Sequence, residues 1–256
     1  MIHNTAIIDK SAVIGKDVQI GPYAIIGEDV VIGEGTSIGA HAVIEYAQIG
    51  KNCKIFSHAS IGTAPQDLKY AGEKTKAIIG DGTSIREYAT VNRGTIAHGE
   101  TVVGKNCLLM TCSHVAHDCV VGDGVIIANC CAIAGHVEVG DGVVMGGLSA
   151  VHQFVKIGKN VVIGGGSMIS MDIIPYTQVQ GDRAKLFGLN LVGLKRKRVP
   201  IAEIENIKHA YKILFASKLP LEQAVAKLEE QLSSSLYVQD ILNFIKKSQR
   251  GLVRPK

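Results

Sequence analysis

The stretch Ile14–Val43 reads IGKDVQ IGPYAI IGEDVV IGEGTS IGAHAV, which is five consecutive copies of one six-residue pattern. Each copy opens with an aliphatic residue followed by glycine, and a small or β-branched residue stands in the fifth position. A period of six matches neither an α-helix nor a half-buried strand. It is typical of a solenoid with triangular coils, in which each copy supplies one strand and one corner. The first and fifth residues of each copy are then expected to point into the core.

The pattern extends over about three quarters of the chain. It is interrupted at residues 63–77 and again at 96–101, and from Val103 it continues to about Gln180. Three copies close one coil, so residues eighteen apart should lie in neighbouring coils, about 4.8 Å from each other. We therefore predict an all-β solenoid over residues 1–186, with loop insertions near 63–77 and 96–101.

After Gly181 the six-residue pattern stops and apolar residues recur at helical spacing. Pro220 opens a second segment of this kind, and a third begins near Leu236. These segments predict a small α-helical domain over residues 187–256. Its first helix is marked by six regularly spaced residues, namely Ile201, Ile204, Ile207, Ala210, Tyr211 and Leu214.

The composition excludes several classes of protein. With 46% hydrophobic and 20% charged residues among 256, the chain is suited to one or two folded domains and not to disorder. No apolar run approaches the roughly 18 residues that cross a bilayer, so no transmembrane segment is predicted. The N-terminal sequence lacks a basic stretch followed by an apolar one, so we expect a cytoplasmic protein.

The net charge of +4 is mild, but a basic run at Lys195–Arg198 lies near Arg183 and Lys185 in the sequence. This run is either a solvated linker or a surface for phosphates or an acidic protein. Since no interleaved aromatic residues or nucleic-acid-binding motif accompany it, nucleic acid is not an expected partner.

The cysteines follow the repeat. None forms a CxxC pair, and reduced thiols are expected in a cytoplasmic protein. Four occupy the fifth, inward position, where cysteine acts as a small buried apolar residue: Cys53, Cys107, Cys119 and Cys131. Cys112 and Cys130 stand in the fourth position, where this argument is weaker. A metal-binding role is therefore not expected for Cys119.

Histidines gather in one region of the repeat. The spacing of eighteen places His117, Gly135 and Gln153 in line, with Asp118, His136 and Phe154 in the next column and His114 and His152 nearby. Three interpretations remain open. They are histidines at solvent-facing corners, a zinc site between subunits as in the gamma-class carbonic anhydrases, or a general base whose neighbouring aspartate sets its tautomer. The His-x-x-His spacing without a clear third partner fits the zinc site poorly.

Five short segments, QDLKYAGE, HVAHD, AGH, AVHQF and GLNLVGLKRK, occur in this order from Gln66 to Lys197. Together with the repeat they resemble the UDP-N-acetylglucosamine acyltransferases of lipid A synthesis, a branch of the hexapeptide-repeat family. The resemblance implies a left-handed parallel β-helix and a homotrimer with active sites in the clefts between subunits. It also implies transfer of an (R)-3-hydroxyacyl chain from acyl carrier protein to the 3-hydroxyl of UDP-N-acetylglucosamine. No metal or organic cofactor is implied beyond the phosphopantetheine arm of the carrier.

The resemblance also assigns roles to individual positions. His117 matches the general base, Asp118 its orienting partner, and Gly135 the backbone N–H that stabilises the oxyanion. Gly165 matches the position that limits acyl length, and glycine there predicts a long chain. Substrate contacts are implied at Gln66, Asp67, Lys69, His114, His136, His152, Gln153, Asn190, Arg196 and Lys197.

Two departures from the family lie in the segment to which the resemblance assigns nucleotide binding. Val192 stands where an acidic residue is frequent, and Lys197 where an arginine is frequent, and both positions bear on nucleotide binding and on the identity of the sugar. A 3-amino sugar acceptor stays open, as does a related N-acyltransferase of the same pathway. That N-acyltransferase usually has an extra N-terminal domain, whereas here the repeat begins by about residue 14. A gamma-type zinc hydratase is the alternative from another class.

Overall fold

The computed structural model describes residues 1–255. Over these residues the chain first winds into a triangular solenoid, because short strands follow one another in turn around three sheets. The strands within each sheet are parallel, apart from one antiparallel pair at the C-terminal end of the third sheet. The predicted all-β solenoid, a left-handed parallel β-helix, is confirmed.

We number the faces in the order in which the chain visits them. The first face contains β1 (Ile7–Ile8), β4 (Ile25–Ile26), β7 (Val43–Ile44), β10 (Ser60–Thr63), β13 (Thr90–Asn92), β16 (His114–Val115), β19 (Ala132–Ile133), β22 (Ala150–Val151) and β25 (Met168–Ile169). The second face contains β2 (Val13–Ile14), β5 (Val31–Ile32), β8 (Ala47–Ile49), β11 (Lys76–Ile79), β14 (Glu100–Val103), β17 (Val120–Val121), β20 (Glu138–Val139) and β23 (Lys156–Ile157). The third face contains β3 (Gln19–Ile20), β6 (Ser37–Ile38), β9 (Lys54–Ile55), β12 (Ser84–Ile85), β15 (Leu108–Leu109), β18 (Ile126–Ile127), β21 (Val144–Met145), β24 (Val162–Ile163), β26 (Thr177–Gln180) and β27 (Lys185–Leu189). Corners 1–2, 2–3 and 3–1 connect the faces.

The register between coils follows the predicted spacing. Val115 pairs with Ile133, and Ile133 pairs with Val151, which are steps of eighteen residues. Coils that carry an insertion take longer steps, since Ser60 pairs with Thr90 and Thr90 pairs with His114. The additional residues therefore leave the strand pairing intact.

The core of the solenoid consists of the inward first and fifth residues of each repeat. Ile26, Ile44 and Ile61 are fully buried, and small residues such as Ala24 fill the space between them. The four cysteines predicted to be core residues are buried, whereas Cys112 and Cys130 are exposed. Burial raises the pKa of the Cys119 thiol to about 12, so this group stays neutral at physiological pH.

Four helices follow the solenoid within the described chain. They are α1 (Leu191–Arg196), α2 (Ile201–Phe215), α3 (Leu221–Leu232) and α4 (Leu236–Lys247). The three predicted helical segments are confirmed as α2, α3 and α4, and their apolar faces pack together around Ile207 and Leu228. Strand β27 spans the predicted division at residue 186, so that division remains a proposal. In the described part of the chain, every helix is too short or too polar to cross a bilayer.

Two buried polar contacts join the helices to the solenoid. The carboxylate of Asp172, which is fully buried, accepts hydrogen bonds from the Ser248 hydroxyl (2.7 Å) and the Arg250 amide (3.1 Å). The hydroxyl of Tyr176 donates to the carboxylate of Asp240 on α4 (2.5 Å). Because buried hydrogen bonds are costly to break, these contacts fix the helical segment against the last coils.

Candidate active site

Both insertions leave the solenoid at the same corner. The first connects β10 to β11 and the second connects β13 to β14, so both lie at corner 1–2. The same corner in the three following coils carries His117, Gly135 and Gln153. Corner 1–2 therefore combines additional backbone with ionisable side chains, whereas the flanking faces keep the regular repeat. Binding residues concentrate on such loops when a rigid scaffold holds them.

His117 and Asp118 form a hydrogen-bonded pair at this corner. The ring Nδ1 of His117 lies 2.8 Å from Oδ2 of Asp118. Asp118 has a φ of 57°, and this left-handed corner conformation allows two consecutive side chains to meet. Because an ionised carboxylate only accepts hydrogen bonds, Nδ1 carries the ring proton and Nε2 keeps its lone pair. The pair has the arrangement of a general base with an orienting partner.

Thr95, at the start of the second insertion, also binds the Asp118 carboxylate. Its amide donates to Oδ1 (2.8 Å) and its hydroxyl donates to Oδ2 (2.7 Å). Burial by itself would raise the pKa of Asp118, but the hydrogen bonds from Thr95 and His117 outweigh it and hold that pKa below its usual value. Asp118 is therefore ionised at neutral pH.

Gly135 lies one coil away, directly against the ring of His117. A Cβ atom added at Gly135 would lie 2.6 Å from Cε1 and 2.7 Å from Nε2 of that ring. The φ of Gly135 is outside the left-handed region, so contact with the ring, not backbone conformation, requires glycine here. Within residues 1–255 the amide N–H of Gly135 has no hydrogen-bond acceptor, which leaves it available to a bound group beside Nε2.

His136 connects the pair of His117 and Asp118 to a wider aromatic cluster. Its ring stacks on Phe154 at a centroid distance of 4.6 Å and meets the rings of His117 and His98 edge-on at 5.1 Å and 5.6 Å. Burial lowers the pKa of His136, and the nearby Asp118 charge opposes that change only in part. His136 is therefore neutral at physiological pH.

His114 lies on β16 beside the same corner. Its Nδ1 is 2.7 Å from the Thr90 hydroxyl, and burial lowers the pKa of His114. His152 and Gln153 are exposed, and Nδ1 of His152 lies 3.1 Å from the Gln153 carbonyl oxygen. The histidines predicted to gather therefore lie along one edge of the solenoid.

The donor atoms of His117, Asp118 and His136 lie within 4.8 Å of one another, close enough to surround a metal ion. However, His117 and Asp118 are already bonded to each other, and Thr95 occupies both carboxylate oxygens. These contacts favour proton transfer over metal binding.

The first insertion is fixed to the corner by Arg93. Its Nε and Nη2 donate to the Tyr70 hydroxyl (3.0 and 2.8 Å), and its Nη1 donates to the Gly62 carbonyl (2.8 Å). The same guanidinium lies over the Tyr46 ring and 3.6 Å from the Glu45 carboxylate. Arg93 thus holds the insertion at the loop residue Tyr70.

Three predicted substrate contacts belong to this loop. Gln66 and Lys69 are exposed, and Asp67 is half-buried, with its Oδ1 accepting a hydrogen bond from the Lys69 amide (3.0 Å). The charge of Asp67 opposes the lowering of the His136 pKa by burial. The loop leaves the solenoid at the corner that carries the histidines.

The remaining predicted residues lie at other corners. Gly165 is at corner 3–1, where an added Cβ would lie 3.3 Å from the Gly147 carbonyl oxygen and meet nothing closer. Asn190 is buried and caps α1: its Oδ1 accepts from the Gly193 amide and its Nδ2 donates to the Asn160 carbonyl, both at 2.9 Å. Arg196 and Lys197 end the same helix and are exposed.

Lys197 extends toward Gly142 at corner 2–3. A single chain therefore brings the loop residues and histidines together at corner 1–2, but leaves Gly165 and the α1 residues on the other two corners. Sequence reasoning missed three residues of the site, Arg93, Thr95 and His98. Their only signal in the sequence was the break in the repeat at 96–101, which contains His98 and directly follows Arg93 and Thr95.

Comparisons with known proteins agree with this structure. The family model for bacterial transferase hexapeptide repeats matches residues 11–46 and 100–135, and the model described as Udp N-acetylglucosamine O-acyltransferase, Domain 2, matches residues 172–253. Acyl-[acyl-carrier-protein]--UDP-N-acetylglucosamine O-acyltransferase from Trichlorobacter lovleyi is 51% identical over 258 residues, with 99% of each chain covered. The enzyme of the same name from Thermodesulfovibrio yellowstonii is 47% identical over 255 residues, again with 99% of each covered.

Two solved structures extend the similarity to three dimensions. LpxA from Acinetobacter baumannii superposes with a TM-score of 0.96 at 45% identity, covering 99% of both chains. UDP-N-acetylglucosamine acyltransferase from Campylobacter jejuni superposes with a TM-score of 0.95 at 39% identity, covering 100% of both. The likeness extends over the solenoid and the helices alike, as the sequence motifs predicted. The chain belongs to the UDP-N-acetylglucosamine O-acyltransferase family.

Proposed function

We propose that the protein transfers an (R)-3-hydroxyacyl chain from acyl carrier protein to the 3-hydroxyl of UDP-N-acetylglucosamine, the first step of lipid A biosynthesis. The hydrogen-bonded pair of His117 and Asp118 beside Gly135 carries this proposal. A sugar hydroxyl is a weak nucleophile when neutral, so the reaction requires a base within hydrogen-bonding reach. His117 supplies that base through Nε2, since Nδ1 is held by Asp118.

The reaction proceeds in two proton transfers. His117 Nε2 takes the proton of the sugar 3-hydroxyl while its oxygen attacks the thioester carbonyl carbon, which gives a tetrahedral oxyanion and an imidazolium. The Asp118 carboxylate stabilises that imidazolium because the two are 2.8 Å apart. The oxyanion then re-forms the carbonyl, the carbon–sulfur bond breaks, and the thiol of the phosphopantetheine arm leaves with the proton from His117.

Gly135 is the proposed source of the oxyanion contact. Its amide is not used by another group of the described chain, and the glycine lies against the ring edge that carries Nε2. A donor fixed before the reaction stabilises the developing charge without reorganisation. No metal or organic cofactor enters this mechanism beyond the arm of the carrier protein.

The substrate contacts are proposed in two groups. Gln66, Asp67 and Lys69 of the first insertion, with His114, His136, His152 and Gln153, bind the sugar and the acyl donor at corner 1–2. Arg196 and Lys197 bind the nucleotide phosphates, where a guanidinium can form paired hydrogen bonds. Asn190 supports this second group, because its side chain caps the helix that presents them.

These two groups lie on different corners of one chain, which supports a homotrimer with active sites between subunits. In such an assembly corner 1–2 of one subunit faces another corner of its neighbour, and Gly165 and α1 then complete the site. A surface for an acidic acyl carrier protein is provided by the exposed basic residues Arg183, Lys185 and Lys195–Arg198. The six free cysteines suit the proposed cytoplasmic location.

The direct test is an acyl-transfer assay on the purified protein with carrier proteins loaded with (R)-3-hydroxyacyl chains of graded length. UDP-N-acetylglucosamine and its 3-amino analogue are supplied as competing acceptors. Ester formation on UDP-N-acetylglucosamine is the expected result. If only an amide forms on the analogue, the 3-amino sugar is the acceptor and not UDP-N-acetylglucosamine. Absence of transfer to either acceptor would overturn the proposal.

Gly165→Met should shift the preferred donor to shorter acyl chains. A Cβ atom added at Gly165 would have one close neighbour, the Gly147 carbonyl oxygen. The variant is therefore expected to fold. The methionine would then occupy the end of the acyl groove. Product profiles from the same graded donors measure the shift, and Gly165→Ala should show a smaller one. An unchanged profile in both variants would remove Gly165 as the length-limiting residue.

Arg93→Met should raise KM for the nucleotide sugar about tenfold, because loss of charge-assisted hydrogen bonds that hold a loop costs roughly 1.5–3 kcal/mol. The affected loop carries Asp67 and Lys69, whereas the pair of His117 and Asp118 is untouched, so kcat should change little. Steady-state kinetics on the nucleotide sugar checks this split.

The matched control is Arg86→Met. Arg86 is also an arginine paired with a carboxylate, Glu87, and lies over an aromatic ring, Phe56, but it is away from the loop. Equal effects of the two variants on KM would show that Arg93 has no specific role in placing the loop.

A further inference from the structure

We propose that Thr95 is a positioning residue of the acyl-transfer site, which holds the Asp118 carboxylate in the orientation that directs His117 Nε2 toward the acceptor hydroxyl. The inference rests on the proposed function and adds a residue of the second insertion to it. Thr95 itself is buried, so it acts through Asp118 and not as an exposed group.

The contact between Thr95 and Asp118 is a two-point clamp. The Thr95 amide meets one carboxylate oxygen at 2.8 Å, and its hydroxyl meets the other at 2.7 Å. Two donors on one residue fix both the position and the plane of the carboxylate, which one donor alone would leave free to rotate. Both residues are buried, with exposed fractions of 7% for Thr95 and 1% for Asp118, so water does not replace these donors.

The direction of the hydroxyl proton follows from its other partner. The Ala97 amide donates to Thr95 Oγ1 at 3.2 Å, which occupies a lone pair of that oxygen. The hydroxyl hydrogen is therefore directed to Asp118 Oδ2, the same oxygen that His117 contacts. A charge-assisted hydrogen bond of this kind is stronger than a neutral one.

The second insertion has an internal backbone hydrogen bond where Thr95 leaves the solenoid. The Gly99 amide donates to the Thr95 carbonyl oxygen at 2.7 Å, which closes the loop on itself. Just after the insertion, on β14, the fully buried Thr101 accepts a hydrogen bond from the Asp118 backbone amide at 2.8 Å. Thr95 and Thr101 therefore hold Asp118 by its carboxylate and by its backbone, respectively.

The clamp matters because Asp118 has two histidine neighbours. Oδ2 lies 2.8 Å from Nδ1 of His117 but also 3.8 Å from Nε2 of His136. These two rings are the titratable groups that face the carboxylate, together with the neutral thiol of Cys119. Without the Thr95 hydroxyl, the carboxylate can turn toward His136, and His117 then loses the partner that fixes its tautomer.

The test compares Thr95→Val, which removes the hydroxyl at nearly constant shape, with Thr95→Ser, which keeps it. We expect kcat of Thr95→Val to fall about tenfold, as when an outer partner of a functional histidine is removed, with KM unchanged. Thr95→Ser should restore the rate, because serine keeps the hydroxyl that donates to the carboxylate.

Thr83→Val is the matched control for the loss of a buried threonine hydroxyl. Thr83 is fully buried at corner 2–3, where its hydroxyl donates to the Gly104 carbonyl (2.7 Å) and accepts from the Cys107 amide (3.0 Å). It should lower Tm much as Thr95→Val does, yet keep the wild-type kcat. If Thr95→Val does not fold, Thr95→Cys, which keeps the size but donates weakly, is judged by the same criteria.

The outcomes separate this inference from the proposed function. A selective loss of kcat in Thr95→Val, restored by serine, supports the inference. It is overturned if Thr95→Val performs no worse than Thr83→Val, if serine is as impaired as valine, or if only KM changes. A wild-type protein without acyl transfer, or a fully active His117→Ala, would instead overturn the proposed function itself.

Discussion

Replacing His117 with alanine should lower kcat for acyl transfer by about two orders of magnitude or more, the range seen when a general base is removed. His117 is the base in the proposed mechanism because its Nδ1 is bound to Asp118 and its Nε2 lies at Gly135. KM should change much less, since the variant still has the loop and α1 residues. Steady-state rates with saturating acyl carrier protein measure the effect.

A suitable control is His209→Ala, which removes an exposed histidine on α2, away from corner 1–2. This variant should keep wild-type rates. Near-normal activity of His117→Ala, in a preparation whose Tm matches the wild type, would exclude His117 as the base.

Gly135→Ala should also cost about 100-fold in kcat, because a displacement of roughly 1 Å at a reacting group has an effect of that size. The added Cβ would lie 2.6–2.7 Å from two ring atoms of His117, closer than such atoms approach. The ring must move, and its hydrogen bond to Asp118 must lengthen or break. The backbone φ of Gly135 is accessible to alanine, so the fold should persist.

Gly147→Ala controls for adding a methyl group at a corner. Gly147 occupies the corresponding turn position at corner 3–1, where an added Cβ meets only the Asn129 carbonyl oxygen at 3.2 Å. This variant should retain most of its activity with the shorter acyl donors. A Gly135→Ala protein as active as Gly147→Ala would mean that the ring of His117 can move without loss of function.

The solenoid could be predicted from the sequence because its repeat is strict. Each copy places its first and fifth residues in the core, so the stretch Ile14–Val43 is enough to predict the coil and the step of eighteen residues. The same rule, applied to a later copy, predicts the burial of Cys119. The same register placed Gly135 one coil from His117, and the structure brings the two into contact.

The insertions could not be predicted in the same way. Arg93 and Thr95 act through contacts with Tyr70 and Asp118, residues 23 positions away in each case, and no local pattern encodes such contacts. Asn190 is a different case. The family resemblance implied a nucleotide contact there, whereas its side chain forms hydrogen bonds within its own chain and caps α1. Propensity and spacing describe the scaffold, whereas side-chain contacts between loops depend on the folded chain.

The unequal steps between paired strands have a consequence for how such a site can change. Ser60 pairs with Thr90 and Thr90 with His114, although thirty and then twenty-four residues separate them. The strands therefore stay paired whatever the number of residues between them. The entropic cost of closing a longer insertion grows only slowly with its length. Extra residues at a corner can add contacts to a new acyl acceptor or acyl donor, while the strands of the neighbouring coils keep their pairing. Stability, which depends on the three sheets, and specificity, which depends on the insertions at corner 1–2, can thus vary separately in this protein.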